Sequence, residues 1–286
     1  MNRDIVVEFL KIAGGASHAL TTRRRKLYMR RPSPARDSAG ASDAAADAFF
    51  GGRLTLFQPR KGYRVNVDTL LLAEFAALAR PKARCVVDLG AGVGALALAY
   101  AFLGSAERLE LVEREAALAG LATRNLEGAG SLGTVSVADL AVDGLPASLR
   151  GVADVVLSNP PFYAEETGTV ASAAKRGARN GTLGPFLVAA AAALGRRGYA
   201  FFVYPAPALP ELLDAAGRAA LVAKRLRFVH AFAASPARLA LVELRRAKPR
   251  GLVVEPPLVE WTSKGVRSPA LVELVGATTR RAIDEE

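Results

Sequence analysis

The sequence predicts an α/β fold with a mostly parallel sheet, on three observations. Between residues 83 and 205, short apolar runs typical of buried strands alternate with segments of helical periodicity, about 10 to 15 residues long. The glycine-rich turn GAGVG stands between the first of these strands and its helix. The last two strands, KRLRFVHAF and RLALVELRR, are separated only by a short turn containing ASPA, which is too short for a parallel crossover. We therefore expect parallel strands, an antiparallel pair at the end, and helices on both faces of the sheet.

The individual elements follow from this alternation. LTLFQ (54–58) is interpreted as a strand, and Asp68 as the N-cap of a helix, TLLLAEFAALA, which stops near Pro81. The strands that follow are ARCVVDLG, RLELVE, GTVSVAD, VADVVLSN and GYAFFVYP. The helices between them are expected over 94–102, up to residue 126, over 185–194 and in PELLDAAGRAA.

The composition divides the chain into three parts. Residues 1–46 contain the basic cluster TTRRRKLYMRR and then a mixture of Pro, Ser, Ala and Asp. Because large apolar side chains are scarce there, we expect a disordered arm, which either contacts RNA phosphates or is a dispensable extension. We expect the main domain over 47–249 and, over 250–286, a C-terminal tail packed on it or appended to it.

The overall composition restricts the class of protein. Of the 286 residues, 51% are hydrophobic and 23% charged, which is typical of a soluble globular chain. Cys85 is the single cysteine, and His18 and His230 are the only histidines, so neither disulfides nor a metal site is expected. No apolar run approaches the roughly 20 residues of a membrane helix. We therefore expect a cytoplasmic protein that binds no metal and no membrane.

The charge points to an anionic partner. Lys and Arg number 38 against 27 Asp and Glu, which gives a formal net charge of +11. Such an excess favours nucleic acid. A GC-rich genome, which favours Arg and Ala codons, is the alternative explanation.

The glycine turn predicts a nucleotide-like ligand. Gly90, Gly92 and Gly94, with Ala95, match the dinucleotide fingerprint G-x-G-x-x-A, which alone is a weak signal. Asp88 precedes the first glycine by two residues. Its carboxylate would repel a pyrophosphate but suits the cationic methionine end of S-adenosylmethionine. The methyl donor is therefore favoured over a nicotinamide cofactor.

Two further acids follow the next two strands. Glu113 ends RLELVE, near the spacing at which an acid reaches ribose hydroxyls, and Asp139 ends VSVAD. Acids at the carboxyl ends of successive parallel strands converge on the crevice in which such sheets bind ligands. Each acid alone could instead cap a helix or lie in a solvated loop.

The segment SNPPFY (158–163) follows the next strand and therefore lies at the same edge. Its prolines remove backbone donors and fix φ, so the side chain of Asn159 and the carbonyl of Pro160 point in set directions. These two acceptors suit the two hydrogens of an NH₂ group. Phe162 offers a face on which a planar base could stack. A turn that only ends a strand would not need this combination.

These motifs, in this order, resemble the class I S-adenosylmethionine-dependent amino methyltransferases, whose (D/N/S)PP(Y/F/W) motif binds the target nitrogen. FQPRKGYRVNVDTLLLAEF is similar to the bacterial tRNA (adenine-N6) methyltransferases that act on valine tRNA. The resemblance runs from about residue 48 into the tail. It implies a Rossmann-like, mostly parallel seven-stranded sheet with a final antiparallel strand and helices on both faces.

The resemblance also implies roles for individual residues. The cofactor would contact Asp88, Gly90, Gly92, Gly94, Glu113 and Asp139, and Asp68 in a segment, 58–68, that closes over it. The target amine would be oriented by Asn159 and Pro160, with Phe162 stacked on the base. The RNA would further contact Pro161, Tyr163 and Arg64. The basic arm and AKRGARNG (174–181) depart from the family pattern and leave the particular RNA in doubt.

Several functional hypotheses remain open at this stage. The first is a monomeric methyltransferase that modifies adenine N6 in RNA, with tRNA as the expected substrate. The same chemistry could act on a protein glutamine or on a ribosomal RNA guanine. A nicotinamide-dependent oxidoreductase explains GAGVGA but leaves NPPF unexplained. An RNA-binding protein that has lost catalysis is the last alternative.

Overall fold

The structure is a computed structural model. It describes residues 44–61, 64–161, 173–246 and 251–275, with the backbone alone for 173–182. Most of the expected disordered arm, residues 1–43, lies outside the described residues. Ala44, however, begins a paired strand, so residues 44–46 belong to the folded part rather than to an arm.

Strands and helices alternate through the main domain as expected. The strands are β1 (Ala44–Phe49), β2 (Leu54–Pro59), β3 (Lys82–Leu89), β4 (Ser105–Glu113), β5 (Gly133–Val137), β6 (Ala153–Ser158), β7 (Leu194–Pro205), β8 (Leu221–His230) and β9 (Ala237–Arg246). The helices are α1 (Val67–Ala79), α2 (Ala95–Leu103), α3 (Ala116–Gly128), α4 (Ala173–Ala193) and α5 (Leu209–Arg218). The tail adds β10 (Val253–Val254), β11 (Leu258–Val259), β12 (Trp261–Ser263), β13 (Val266–Arg267) and α6 (Pro269–Val275).

The central sheet confirms the predicted fold class. Its strand order is β10-β8-β9-β7-β6-β3-β4-β5, and β11 also pairs with β8. Strands β5, β4, β3, β6 and β7 are mutually parallel, while β9 runs antiparallel to both β7 and β8. The described sheet has nine strands rather than the expected seven. The two additional strands, β10 and β11, come from the tail, which thereby extends the edge of the sheet.

The core lies on both faces of this sheet. Adjacent residues of a strand point to opposite faces, so Val86 and Phe201 belong to one buried cluster and Val87 and Phe202 to the other. The first cluster includes residues of α1, α2 and α3, and the second includes residues of α4 and α5. No helix in the described ranges is long and apolar enough to cross a membrane.

Two helix boundaries differ from the sequence-based expectation. The N-cap of α1 is Asn66, whose side chain accepts a hydrogen bond from the backbone of Thr69, and Asp68 lies inside the first turn. Both residues are capping types, so composition alone does not choose between them. Helix α4 begins at Ala173 rather than near Pro185. Pro185 lies within the helix, where it leaves one carbonyl without an intrahelical donor.

Candidate functional site

Three sequence-predicted segments meet at the carboxyl edge of the central sheet. Leu89, the last residue of β3, pairs with Val112 of β4 on one side and with Ser158 of β6 on the other. The next residues on the three strands are Gly90, Glu113 and Asn159. Since neighbouring strands lie about 4.8 Å apart, these residues leave the sheet side by side.

The glycine loop between β3 and α2 requires its glycines. Gly90, Gly92 and Gly94 have φ values of +70°, +55° and +81°, in the left-handed region that other residues rarely adopt. A Cβ on Gly90 would lie 2.8 Å from Phe186, and one on Gly94 would lie 2.8 Å from Leu111. The loop therefore packs closely against its surroundings and ends at the N-terminus of α2.

Glu113 holds the glycine loop from the side of β4. Its side chain is 7% exposed and accepts hydrogen bonds from the backbone amides of Gly92, at 2.8 Å, and Glu115, at 2.9 Å. Each carboxylate oxygen retains a second lone pair. Glu113 can therefore keep the loop in place and still accept a hydroxyl hydrogen from a ligand.

Asp88 lies beneath the loop, at 1% exposure. One oxygen accepts a hydrogen bond of 3.1 Å from the backbone amide of Ala97 in α2, while the other is buried without a partner in the described part of the chain. Burial raises the pKa of the carboxyl to about 7; the Ala97 hydrogen bond opposes this shift and the Glu113 charge adds to it. A cation near the unpartnered oxygen would favour the charged form.

Asp139 lies two residues beyond the end of β5. One of its carboxylate oxygens accepts a hydrogen bond of 2.8 Å from the backbone of Ala141, and its own amide donates to Asp143. This is the local turn-capping role that the sequence left open for Asp139. The strand register nevertheless places it near Glu113, which pairs with Val137 at the end of β5.

Asn159 and Pro160 follow β6, with Pro160 buried and Pro161 exposed. The side-chain nitrogen of Asn159 lies 3.5 Å from the hydroxyl of Thr69 in α1. That hydroxyl lies 3.4 Å from the side-chain oxygen of Asn66, to which it can donate. This chain directs the Asn159 nitrogen toward Thr69 and leaves the amide oxygen to other partners. Phe162 and Tyr163 lie outside the described residues.

The segment that precedes α1 is tied down by its own side chains. The buried amide of Gln58 accepts a hydrogen bond of 2.9 Å from Val65 and donates to Asp47 of β1. Arg64 is 46% exposed and forms an ion pair of 2.9 Å with Asp47. Arg64 and Val65, in the middle of the segment predicted to close over the cofactor, are thus joined to Asp47 and Gln58 of the β1-β2 hairpin.

Asp68 takes part in an ionic cluster whose two carboxylates are buried and whose arginine is 34% exposed. Arg238 of β9 contacts Asp68 at 2.8 Å and Glu260 of the tail at 2.5 Å. Asn66 donates a hydrogen bond of 3.2 Å to the other oxygen of Asp68. Both carboxylate oxygens therefore have protein partners, and the burial of Asp68 needs no ligand to explain it.

The described residues of this edge offer neither a set of metal ligands nor an exposed thiol. Among the residues described here, no group of three or more His, Cys, Asp and Glu side chains could hold a metal ion. Cys85 is buried in β3, four positions before Leu89, and burial raises the pKa of its thiol. A nucleophilic thiolate is therefore disfavoured at this position.

Two positioning residues are absent from the sequence-based prediction. Thr69 lies 90 positions from Asn159, and Asn125 of α3 bonds both to Phe57 in the hairpin and to Val93 in the glycine loop. No local motif marks either residue. The N-cap at Asn66, which turns the first residues of α1 toward this edge, is the one sequence signal that could have indicated Thr69.

Solved structures of other methyltransferases share this fold. A predicted O-methyltransferase from Agrobacterium tumefaciens is 24% identical, with a TM-score of 0.56 over 72% of this chain and 94% of that chain. A 16S ribosomal RNA guanosine N2 methyltransferase from Thermus thermophilus, crystallised with S-adenosylmethionine and guanosine, is 23% identical, with a TM-score of 0.51 over 71% and 50% of the two chains. At these identities the likeness concerns the fold alone.

A curated relative matches a shorter part of the sequence. Ribosomal RNA large subunit methyltransferase G of Pseudomonas paraeruginosa is 39% identical over 79 residues. The aligned part is 28% of this chain and 21% of that protein, so the chain spans about a fifth of the relative's length.

The model of one protein family covers the three strand ends of the candidate site and the glycine loop. The methyltransferase small domain matches residues 64–206, which is half of the 286-residue chain. This match to a methyltransferase family contradicts the hypothesis of a nicotinamide-dependent oxidoreductase. The oxygen of Asp88 that has no partner among the described residues also suits a ligand with a cationic end. The chain therefore belongs to the methyltransferase small domain family.

Proposed function

We propose that this enzyme methylates the exocyclic N6 amine of an adenine in RNA, with tRNA as the expected substrate. The observation that carries the proposal is the pairing of Leu89 with Ser158. It brings Asn159 and Pro160, the residues suited to an NH₂ group, next to Gly90 of the glycine loop. A target amine and a cofactor bound at these two segments would share one edge of the sheet.

The polar groups at this edge suit an amine acceptor. With its nitrogen directed at Thr69, Asn159 can accept one amine hydrogen through its side-chain oxygen, and the carbonyl of Pro160 can accept the other. The bound cofactor supplies an electrophilic methyl group. Because a neutral amine attacks a sulfonium without a strong base, holding the amine in line supplies most of the acceleration. In the transfer, the nitrogen–carbon bond would form as the methyl–sulfur bond of S-adenosylmethionine breaks, the rest of the cofactor would leave as a neutral thioether, and the proton of the methylated amine would pass to solvent.

The cofactor is proposed to lie along the glycine loop. Asp88 and the loop would hold its methionine part, Glu113 its ribose hydroxyls, and Asp139 its adenine. The orphaned oxygen of Asp88 supports the first contact, and the spare lone pairs of Glu113 support the second. Asp68, with both oxygens bonded to protein, is proposed to position α1 instead of binding the cofactor.

Charge supports an RNA substrate. The chain has a net charge of +11, and the residues that follow β2 expose Arg60, Lys61 and Arg64. Basic side chains on this segment would contact phosphates around the target base. A base must be flipped out to reach Asn159, at a cost of a few kcal/mol that is smallest for a loop nucleotide. Phe162, Tyr163 and Pro161 are proposed to contact the flipped base.

A second candidate substrate is the exocyclic amine of a guanine in ribosomal RNA. The curated relative is by name a ribosomal RNA methyltransferase, and its aligned part is 39% identical. The same two acceptors, Asn159 and Pro160, would bind the guanine amine. A protein glutamine amide remains a third possible acceptor of the same chemistry.

The decisive experiment offers the purified enzyme methyl-labelled S-adenosylmethionine with separate tRNA, ribosomal RNA and protein fractions from a strain that lacks the enzyme. The proposal predicts label in tRNA, recovered as N6-methyladenosine by nucleoside mass spectrometry. Label in ribosomal RNA as a methylated guanosine would replace the proposal with the second candidate. Label in protein alone, or RNA binding without any transfer, would overturn both.

A further inference from the structure

Asn125 of α3 connects two segments that are far apart in sequence. Its side chain is 1% exposed. It reaches Phe57 in the β1-β2 hairpin, 68 positions away, and Val93 in the glycine loop, 32 positions away. A buried amide among apolar neighbours is costly unless its polar atoms are bonded.

Each polar atom of this amide has a defined partner. The oxygen of Asn125 accepts a hydrogen bond of 2.7 Å from the backbone amide of Phe57. Its nitrogen donates to the carbonyls of Phe57 and Val93, both at 2.9 Å. Since a backbone amide can only donate and the two carbonyls can only accept, the orientation of the amide is unambiguous. The Asn125 amide accepts from the N–H of Phe57 and donates to its C=O, which are the two hydrogen bonds that a residue of a neighbouring antiparallel strand would make.

The contact with Val93 lies in the middle of the glycine loop. Gly92, on one side of Val93, donates its amide to Glu113. Gly94, on the other side, is the N-cap of α2. The loop is therefore held from β4 by Glu113 and from α3 by Asn125. A residue needed only to attach the hairpin would bond to Phe57 and not to the loop.

We infer that Asn125 is a positioning residue for the cofactor: it fixes the carbonyl of Val93, and with it the backbone of the glycine loop, in the shape that binds S-adenosylmethionine. This inference rests on the proposed placement of the cofactor along that loop. It assigns Asn125 no contact with the cofactor itself.

The substitution Asn125→Asp tests the inference through pH. An ionised carboxylate would face the carbonyls of Phe57 and Val93 and repel both, whereas the protonated acid keeps the shape of the amide and can donate to one of them. Burial at this 1% exposed position and the two facing carbonyls raise the pKa of the introduced carboxyl above the usual range of Asp, so it can take up a proton within the pH range measured. Arg124, whose guanidinium lies 3.5 Å from the centre of the Phe57 ring, favours the ionised form and opposes this shift. Asp88 titrates in both proteins, so each Kd is divided by the wild-type value at the same pH.

The measurement is the Kd for S-adenosylmethionine by calorimetry between about pH 8.5 and pH 5.5. We expect the Kd of Asn125→Asp to exceed that of the wild type about tenfold at the alkaline end and to approach it at the acidic end. Asn125→Ser, which cannot span both partners, should bind about tenfold more weakly at every pH. Leu126→Ala removes a buried neighbour on the same helix and should lower the melting temperature without changing the Kd.

A Kd ratio near one for Asn125→Asp and Asn125→Ser at all pH values would overturn the inference. So would a weakened Kd in Leu126→Ala that matches its loss of stability, because general destabilisation would then explain the effect. Glu113→Gln is measured in parallel. If Glu113→Gln and both Asn125 variants keep the wild-type Kd, the proposed placement of the cofactor at the glycine loop is wrong. If Glu113→Gln binds weakly while both Asn125 variants keep the wild-type Kd, only the role of Asn125 is wrong.

Discussion

The backbone amide of Gly92 donates a hydrogen bond of 2.8 Å to the carboxylate of Glu113. The two residues belong to different βα connections, so the end of β4 fixes the loop that follows β3. Asn125 holds the same loop through Val93. The loop is therefore shaped by the protein before any ligand binds, which lowers the entropic cost of binding.

Replacement of Glu113 by Ala should weaken the binding of S-adenosylmethionine at least about tenfold and lower the free energy of unfolding by about 1–3 kcal/mol, because the buried amide of Gly92 and the partly buried amide of Glu115 lose their acceptor. Calorimetric titration and denaturant unfolding measure the two effects. Glu107→Ala, at the exposed opposite end of β4, is the matched control and should change neither. An unchanged Kd in Glu113→Ala would contradict the proposed ribose contact.

Asp88 predicts a pH dependence of stability. Burial raises the pKa of its carboxyl from 3.8 to about 7 in the folded state, so the folded protein binds the proton more tightly than the unfolded chain does. The contribution of Asp88 to stability is therefore present at acid pH and is lost as the pH rises toward about 7, at up to about 1.4 kcal/mol per pH unit. Above that pH the loss is complete.

The substitution Asp88→Asn isolates this contribution. It removes the titration, so the free energy of unfolding of the variant, measured without ligand, should vary less between about pH 5 and pH 7 than that of the wild type. Denaturant unfolding at several pH values gives, for each protein, the slope of the free energy of unfolding against pH. Identical slopes would show that Asp88 is ionised throughout this range in the folded protein.

Thr69 should affect methyl transfer without affecting cofactor binding. Thr69→Val removes the hydroxyl to which the Asn159 nitrogen is directed. The Asn159 amide would then be free to rotate, and the rate of transfer should fall about tenfold while the KM for S-adenosylmethionine stays within about twofold. Thr69→Ser should restore the rate. Thr123→Val, which removes a hydroxyl from α3, serves as the control; a similar loss there would deny Thr69 a specific role.

The ionic cluster around Arg238 should stabilise the fold. Arg238→Leu leaves the carboxylates of Asp68 and Glu260 buried without their partner, and the expected loss is about 3 kcal/mol in the free energy of unfolding. Arg218 forms an exposed pair with Asp214, so Arg218→Leu should cost less than about 1 kcal/mol. Thermal and denaturant unfolding compare the two variants. If both variants lost the same free energy of unfolding, the ion pairs of Arg238 would stabilise the fold no more than an exposed pair does.

The parallel strands and the residues at their carboxyl ends could be predicted from the sequence, because both depend on local patterns. Alternation of apolar runs with helices places Gly90, Glu113 and Asn159 at the carboxyl ends of parallel strands, and the topology of a parallel sheet then brings them to one edge. The positive φ values of the glycine loop likewise follow from residue type.

Contacts between distant segments could not be predicted in this way. Asn125, Thr69 and Arg238 meet partners 68, 90 and 170 positions away, and nothing near them in sequence marks those partners. The tail strands β10 and β11 have only two residues each, too few to show an alternating pattern, so the sheet was expected to end at seven strands. The contact of Asp68 with Arg238 belongs to the same group, because Arg238 lies in another strand and no local pattern marks the pair.

The central claim is that Asn159 orients a target amine beside the cofactor. It is tested most directly by the single-turnover rate of methyl transfer to RNA and the Kd for S-adenosylmethionine, both measured for the wild type and for Asn159→Ala. We predict that the rate falls about a hundredfold or more, since alignment of the amine is lost, while the Kd stays within about twofold. A folded Asn159→Ala variant that transfers the methyl group at the wild-type rate would contradict the account.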